Sequence, residues 1–167
     1  MTSAAPDRVP PDWPHRSHSR AVRTGRIDWH VQVAGRGPTL LLLHGTGASA
    51  HSWAGLLPAL AEVATVVAPD LPGHGYTVGA TPADLSLPRI AVALDGLLAA
   101  LALPPPALVV GHSAGAALAL RWALGHAPPP PAPCAIVGFN PSLVAPPALY
   151  SQWLAPLLHP LATAAPA

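Results

Sequence analysis

The sequence predicts an α/β protein: a doubly wound, mostly parallel sheet with helices packed on its faces. Three observations carry that expectation. Apolar runs without alternation, Leu40-Leu41-Leu42-Leu43 and Leu108-Val109-Val110, suit strands buried on both faces. Between them, Ile90, Leu94, Leu97, Leu98 and Leu101 fall near one face of a helix over Pro88–Ala102. Each apolar run ends in a glycine-rich turn, His44-Gly45-Thr46-Gly47 after the first and Gly111-His112-Ser113-Ala114-Gly115 after the second. Strands and helices alternating in this way imply parallel neighbours joined by right-handed crossovers.

Along the chain, Met1 to Arg23 is polar and rich in Arg, His and Pro, and a first division, 1–25, is expected to be an N-terminal arm. It holds no apolar stretch of the signal-peptide kind. Ile27 to Val33 alternates and reads as an edge strand, with Gly35–Gly37 as its hairpin turn. Leu40–Leu43, Thr65–Ala68, Leu108–Val110 and Ala135–Phe139 read as central strands, and Ser52–Ala61, Pro88–Ala102 and Ala114–Gly125 as the connecting helices. Together they make a core over 26–140. The remaining segment, 141–167, contains no Asp, Glu, Lys or Arg and carries Leu143, Leu149, Trp153 and Leu157. It reads as the start of an apolar lid or a cut C-terminal segment.

Composition excludes several classes. Hydrophobic residues make up 51% and charged residues 9%, the latter well under the usual ~25%, so 167 residues suffice for one sizeable core. The eight basic residues are all arginine and the net charge is +1, which argues against a nucleic-acid partner. The uncharged stretch from Trp122 onward is broken by Pro128 to Pro131 and later prolines, so no membrane-spanning helix fits. The lone Cys134 sits in the apolar run Cys134-Ala135-Ile136-Val137 and reads as a small core residue, with no disulfide possible inside the chain. A cytoplasmic location, with peripheral membrane contact allowed, fits these features. His15 and His18 form H-x-x-H beside Arg16 and Arg20, with no third ligand near, and read as part of a solvated basic stretch. Trp13, Trp29, Trp53, Trp122 and Trp153 read as packing residues. No metal and no cofactor is expected.

The chemistry lies in Gly111-His112-Ser113-Ala114-Gly115. It is G-x-S-x-G between a strand and a helix, the setting of a nucleophile elbow. A serine on so sharp a turn has a strained backbone, and bulky neighbours would strike the strand and helix; Gly111 and Gly115 remove those side chains. Ser113 is then raised at the carboxyl edge of the sheet. There the N–H of Ala114 and the helix dipole favour an oxyanion.

The ordered set His44-Gly45-Thr46-Gly47, Asp70-Leu71-Pro72-Gly73-His74-Gly75 and Gly111-His112-Ser113-Ala114-Gly115 resembles the α/β-hydrolase superfamily. Wider strings, including Asp12-Trp13-Pro14-His15-Arg16, Trp29-His30-Val31-Gln32 and His51-Ser52-Trp53, resemble its magnesium chelatase accessory proteins of bacteriochlorophyll biosynthesis. The likeness spans Asp12 to about Asn140. It implies an α/β-hydrolase-type sheet with Ser113 as nucleophile and the Thr46 N–H as second oxyanion donor beside Ala114. His44, Gly45, Gly111, His112, Gly115 and Asp70 support the elbow and its loops. Asp70 does so by accepting backbone N–H groups rather than as catalytic acid. The resemblance further implies hydrolysis of an ester or related acyl bond in a hydrophobic small molecule such as a tetrapyrrole ester. The alternative is a non-catalytic accessory that holds a tetrapyrrole or docks on magnesium chelatase. In this fold the acid and base follow the serine, yet no Asp or Glu follows Ser113, and the position after the last strand is Asn140. Of the later histidines, His126 ends a helix and His159 lies in the lid-like segment. The chain therefore reads as truncated after its sixth strand and the start of a lid, or else as a natural short form.

Overall fold

The computed structural model describes residues 2–3, 7–125 and 135–143. Its strands are β1 (Thr2–Ser3), β2 (Ser19–Thr24), β3 (Ile27–Ala34), β4 (Thr39–Leu43), β5 (Thr65–Pro69), β6 (Leu108–His112) and β7 (Ala135–Phe139). Its α-helices are α1 (Leu57–Ala61), α2 (Leu87–Leu101) and α3 (Ala114–Leu124). The strands form one sheet in the order β1-β2-β3-β5-β4-β6-β7. β5, β4, β6 and β7 run parallel, and β1, β2 and β3 join antiparallel at one side. The expected α/β, mostly parallel architecture is present.

The apolar runs explain the layers. Every residue of β4 is buried, and its side chains alternate between two cores. Leu41 and Leu43 join Trp29, Val31, Val67 and Val109 against Leu94, Leu97 and Leu98 of α2 and Leu118 of α3. Leu40 and Leu42 join Val66, Ala68 and Val110 against Trp53 and Leu57 on the other face. Opposite faces are what right-handed crossovers demand here. The chain leaves β4 toward β5 on one side and returns past it to β6 on the other. β4 is therefore the strand where the order reverses, and the loops at the carboxyl ends of β4 and β6 meet over a crevice.

The N-terminal half departs from expectation in four places. Ile27–Ala34 is an interior strand, because β5 inserts between it and β4 and pairs with it antiparallel from Val31↔Pro69 to Ala34↔Val66. Gly35–Gly37 is then no hairpin turn; the hairpin is the tight β2–β3 connection, closing at Thr24↔Ile27. Within the stretch expected to be an arm, Ser19–Thr24 is strand and Val9 is buried. The expected helix over Ser52–Ala61 is two pieces, a 3-10 turn at Ala50–Trp53 and α1. Pro58 supplies the reason. It has no N–H to offer the Ala54 carbonyl, and that carbonyl takes the His15 ring nitrogen at 2.8 Å instead. Of the lid-like segment only Pro141–Leu143 lies among the described residues; Cys134, His126, Trp153 and His159 lie outside them. Among the described residues no helix is long and apolar enough to cross a membrane.

Candidate active site

β6 ends at His112 and α3 begins at Ala114, leaving Ser113 alone on the turn at φ 53°, ψ −117°. A non-glycine residue held at positive φ costs about 1–3 kcal/mol and persists only where its surroundings impose it. The surroundings here are hydrogen bonds. The Ser113 N–H donates to the Phe139 carbonyl at 2.9 Å, and the Ser113 carbonyl accepts from Ala116 at 3.1 Å and Ser142 at 3.2 Å. The end of β7 therefore clamps the turn.

Close packing decides the neighbouring residues. A Cβ on Gly115 would run into the carbonyl oxygens of Leu43 and His44. One on Gly111 would come within 2.5 Å of the N and Cα of Ala116. One on Gly45 would lie 3.1 Å from both the Ser113 Cβ and the His112 Nδ1, so the loop after β4 rests directly on the elbow. Within that loop the Ala48 N–H closes a turn on the Gly45 carbonyl at 3.2 Å, and Thr46 is exposed. Among the described residues no hydrogen bond takes up the N–H of Thr46 or of Ala114. Two free donors thus stand on the loop and helix start that flank Ser113. The Ser113 hydroxyl likewise has no partner among the described residues, and Asn140, at φ 43°, makes no hydrogen bond to it.

His44 is fully buried. Its Nε2 accepts the Leu71 N–H at 2.9 Å, so the proton sits on Nδ1, which donates to the Gly45 carbonyl at 2.8 Å. Burial pushes its pKa down to about 4; the Gly45 hydrogen bond resists, the His74 ring 5.2 Å away pushes the same way as burial, and Asp70 resists. His44 is a neutral tie between the loop after β4 and the loop after β5. Asp70 is also fully buried. Its Oδ1 accepts from Ala50 at 2.7 Å, and its Oδ2 from Tyr76 at 2.7 Å and from the His30 Nδ1 at 2.8 Å. Burial alone would raise its pKa, but the hydrogen bond and charge of His30, with the two backbone N–H groups, outweigh burial and hold the carboxyl below its usual value.

Sequence reasoning missed Ser19 and His30. His30 and Gln32 are buried polar residues on one face of β3, and read on an edge strand they resemble a solvent face. Polar side chains two apart in a strand walled by apolar neighbours were the signal. Beside the elbow lies a cavity of about 450 Å³ lined by Ser52, Trp53, Leu56, His112 and Phe139, with no fixed charge among them.

The sequence profile of the alpha/beta hydrolase fold family matches residues 38–157. The chain belongs to the alpha/beta hydrolase fold family. It is 43% identical over 140 residues to the magnesium-chelatase 30 kDa subunit of Rhodobacter capsulatus, covering 83% of this chain and 47% of that one. It is 40% identical over 111 residues to protein phosphatase methylesterase 1 of Homo sapiens, covering 64% of this chain and 29% of that one. An alpha/beta hydrolase fold protein from Burkholderia ambifaria superposes with a TM-score of 0.65 at 29% identity, covering 75% of this chain and 45% of that structure. The chain thus spans less than half the length of each of these three relatives.

Proposed function

We propose that this chain carries the nucleophile half of a serine hydrolase acting on an uncharged ester or related acyl bond. The observation that supports the reading most is Ser113 on a clamped positive-φ turn beside two N–H groups that no described residue uses. In the step proposed, the Ser113 Oγ bonds to the acyl carbon, and the carbonyl π electrons move onto its oxygen. The N–H groups of Ala114 and Thr46 hold that oxyanion. Its collapse expels the alcohol and leaves an acyl-serine, which water then cleaves. The serine proton ends on the departing alkoxide oxygen, which leaves as the alcohol; no described residue carries it, so water does. The oxyanion donors alone sustain a residual rate. The uncharged cavity walls suit an apolar acyl or alcohol group and disfavour a charged one.

A second reading has its own support. The likeness to a protein named as a magnesium-chelatase subunit, together with a Ser113 that no described base reaches, favours a pocket that binds a tetrapyrrole or docks on the chelatase without cleaving anything. One experiment separates the two: Ser113→Ala in the cell that makes this protein, with magnesium-tetrapyrrole yield as the readout. Under the hydrolase reading the yield falls about tenfold or more, as loss of a nucleophile requires. An unchanged yield carries the accessory reading instead.

A further inference from the structure

A second set of linked polar residues lies behind the loop after β4. The His30 Nδ1 donates to the Asp70 Oδ2 at 2.8 Å, and the His30 Nε2 pairs with the Ser19 Oγ at 2.9 Å. The order Ser, His, Asp is that of a hydrolytic triad. Yet Ser19 is 4% exposed and His30 and Asp70 are 0% exposed, so no substrate reaches it. Its far end is what matters. The other oxygen of Asp70 accepts the N–H of Ala50, the first residue of the 3-10 turn that ends the loop begun at His44. That loop has two anchors. His44 holds the near end through Leu71 and Gly45, and Asp70 holds the far end. Thr46 lies between them.

The N–H groups of Ala50 and Tyr76 hold one oxygen of Asp70 each, and the His30 ring adds a second donor on Oδ2 that resists rotation about the Cβ–Cγ bond. Ser19 holds the ring against a flip. We propose that His30 is a positioning residue: acting through Asp70, it sets where the Thr46 N–H points relative to Ser113. This rests on the oxyanion reading of Thr46. The link runs from β2 through β3 to the residue that follows β5, and so ties the antiparallel side of the sheet to the crevice at β4.

The test compares His30→Phe, which has no ring nitrogen, with His30→Asn, whose amide N–H falls near the position of Nδ1. Two quantities are read on the 167-residue chain: amide hydrogen exchange, and the rate at which a fluorophosphonate forms an adduct on Ser113. His30→Phe is expected to speed exchange at Ala48 and Ala50, whose N–H groups are hydrogen-bonded, about tenfold and to slow the adduct about tenfold, the scale of a misplaced catalytic donor. Exchange in β4 and α2 is expected to stay within about twofold. His30→Asn is expected to restore both. A rise in exchange spread evenly over the loop, β4 and α2, an Asn variant no better than Phe, or an unchanged adduct rate in His30→Phe would each overturn the proposal. Should His30→Phe fail to fold, Ser19→Ala decides. It keeps the His30–Asp70 bond and is expected to give a smaller effect, about threefold and confined to the loop; no effect, or one spread evenly, overturns the proposal. If the unaltered chain gives no Ser113 adduct, the nucleophile reading fails, and the exchange pattern still decides the positioning role.

Discussion

Alanine at position 115 is expected to destabilise the fold by about 3 kcal/mol or more, the upper range for an overpacked interior. The new Cβ has no room, because the carbonyl oxygens of Leu43 and His44 already occupy its place. These are backbone atoms at the end of β4, whose ladder with β6 runs to Leu43↔Gly111 and leaves little freedom to retreat. The helix carrying Gly115 is held equally firmly, since its first turn is clamped to β7 through Ser113. A thermal melt is expected to fall by about 10 °C. Gly55→Ala is the control, because a Cβ there meets nothing within 4 Å. A Gly115→Ala midpoint equal to that of the control would show that the elbow and the loop are not in the contact described. The contact matters because the same close approach seats the loop that carries Thr46 against the turn that carries Ser113.

Mild acid is expected to weaken the fold through His44. In the unfolded chain an ordinary histidine titrates near 6.5, whereas burial lowers His44 to about 4 in the fold. Below pH 6.5 the unfolded state therefore binds a proton that the folded state refuses. Stability is fully present above 6.5 and is lost as the pH falls toward 4. The loss amounts to about 3 kcal/mol across that window. Asp70 adds to the loss at still lower pH, because its folded pKa lies below the usual carboxylate value and its stabilisation goes as it protonates. Urea midpoints at pH 7.5 and pH 4.5 measure the effect. The difference between them is expected to shrink in His44→Gln, which cannot take up the proton. A midpoint that is constant or rises toward pH 4.5 would contradict a buried, neutral His44.

How much of this was legible in sequence depends on how local the cause is. β4 and β6 stand out because Leu40 to Leu43 and Leu108 to Val110 are apolar at every position, as a strand covered on both faces must be. The turn at Ser113 is legible because close approach leaves only glycine at 111 and 115. β3 misleads because the partners of its polar residues are distant. His30 is satisfied by Ser19 and Asp70, and the Gln32 amide N–H donates to the Pro14 carbonyl while its Oε1 has no partner among the described residues, so alternation that normally marks a wet edge here marks a buried polar seam. The break before α1 is half legible. Pro58 is visible in the sequence, but the His15 ring that takes over the Ala54 carbonyl is not. For Asp70 the two N–H partners follow from a turn residue's habits, whereas the histidine below it comes from another part of the sheet.

Whether Ser113 is the nucleophile is measured most directly by the site of covalent reaction. The 167-residue chain is incubated with a fluorophosphonate and the adduct is located by peptide mapping, beside Ser113→Ala. An adduct on Ser113 alone is expected. It accumulates slowly, since no described residue takes the serine proton, and it is absent from the alanine variant. An adduct on Ser19 or Ser52, a signal that survives Ser113→Ala, or no adduct on Ser113 would contradict a nucleophilic Ser113.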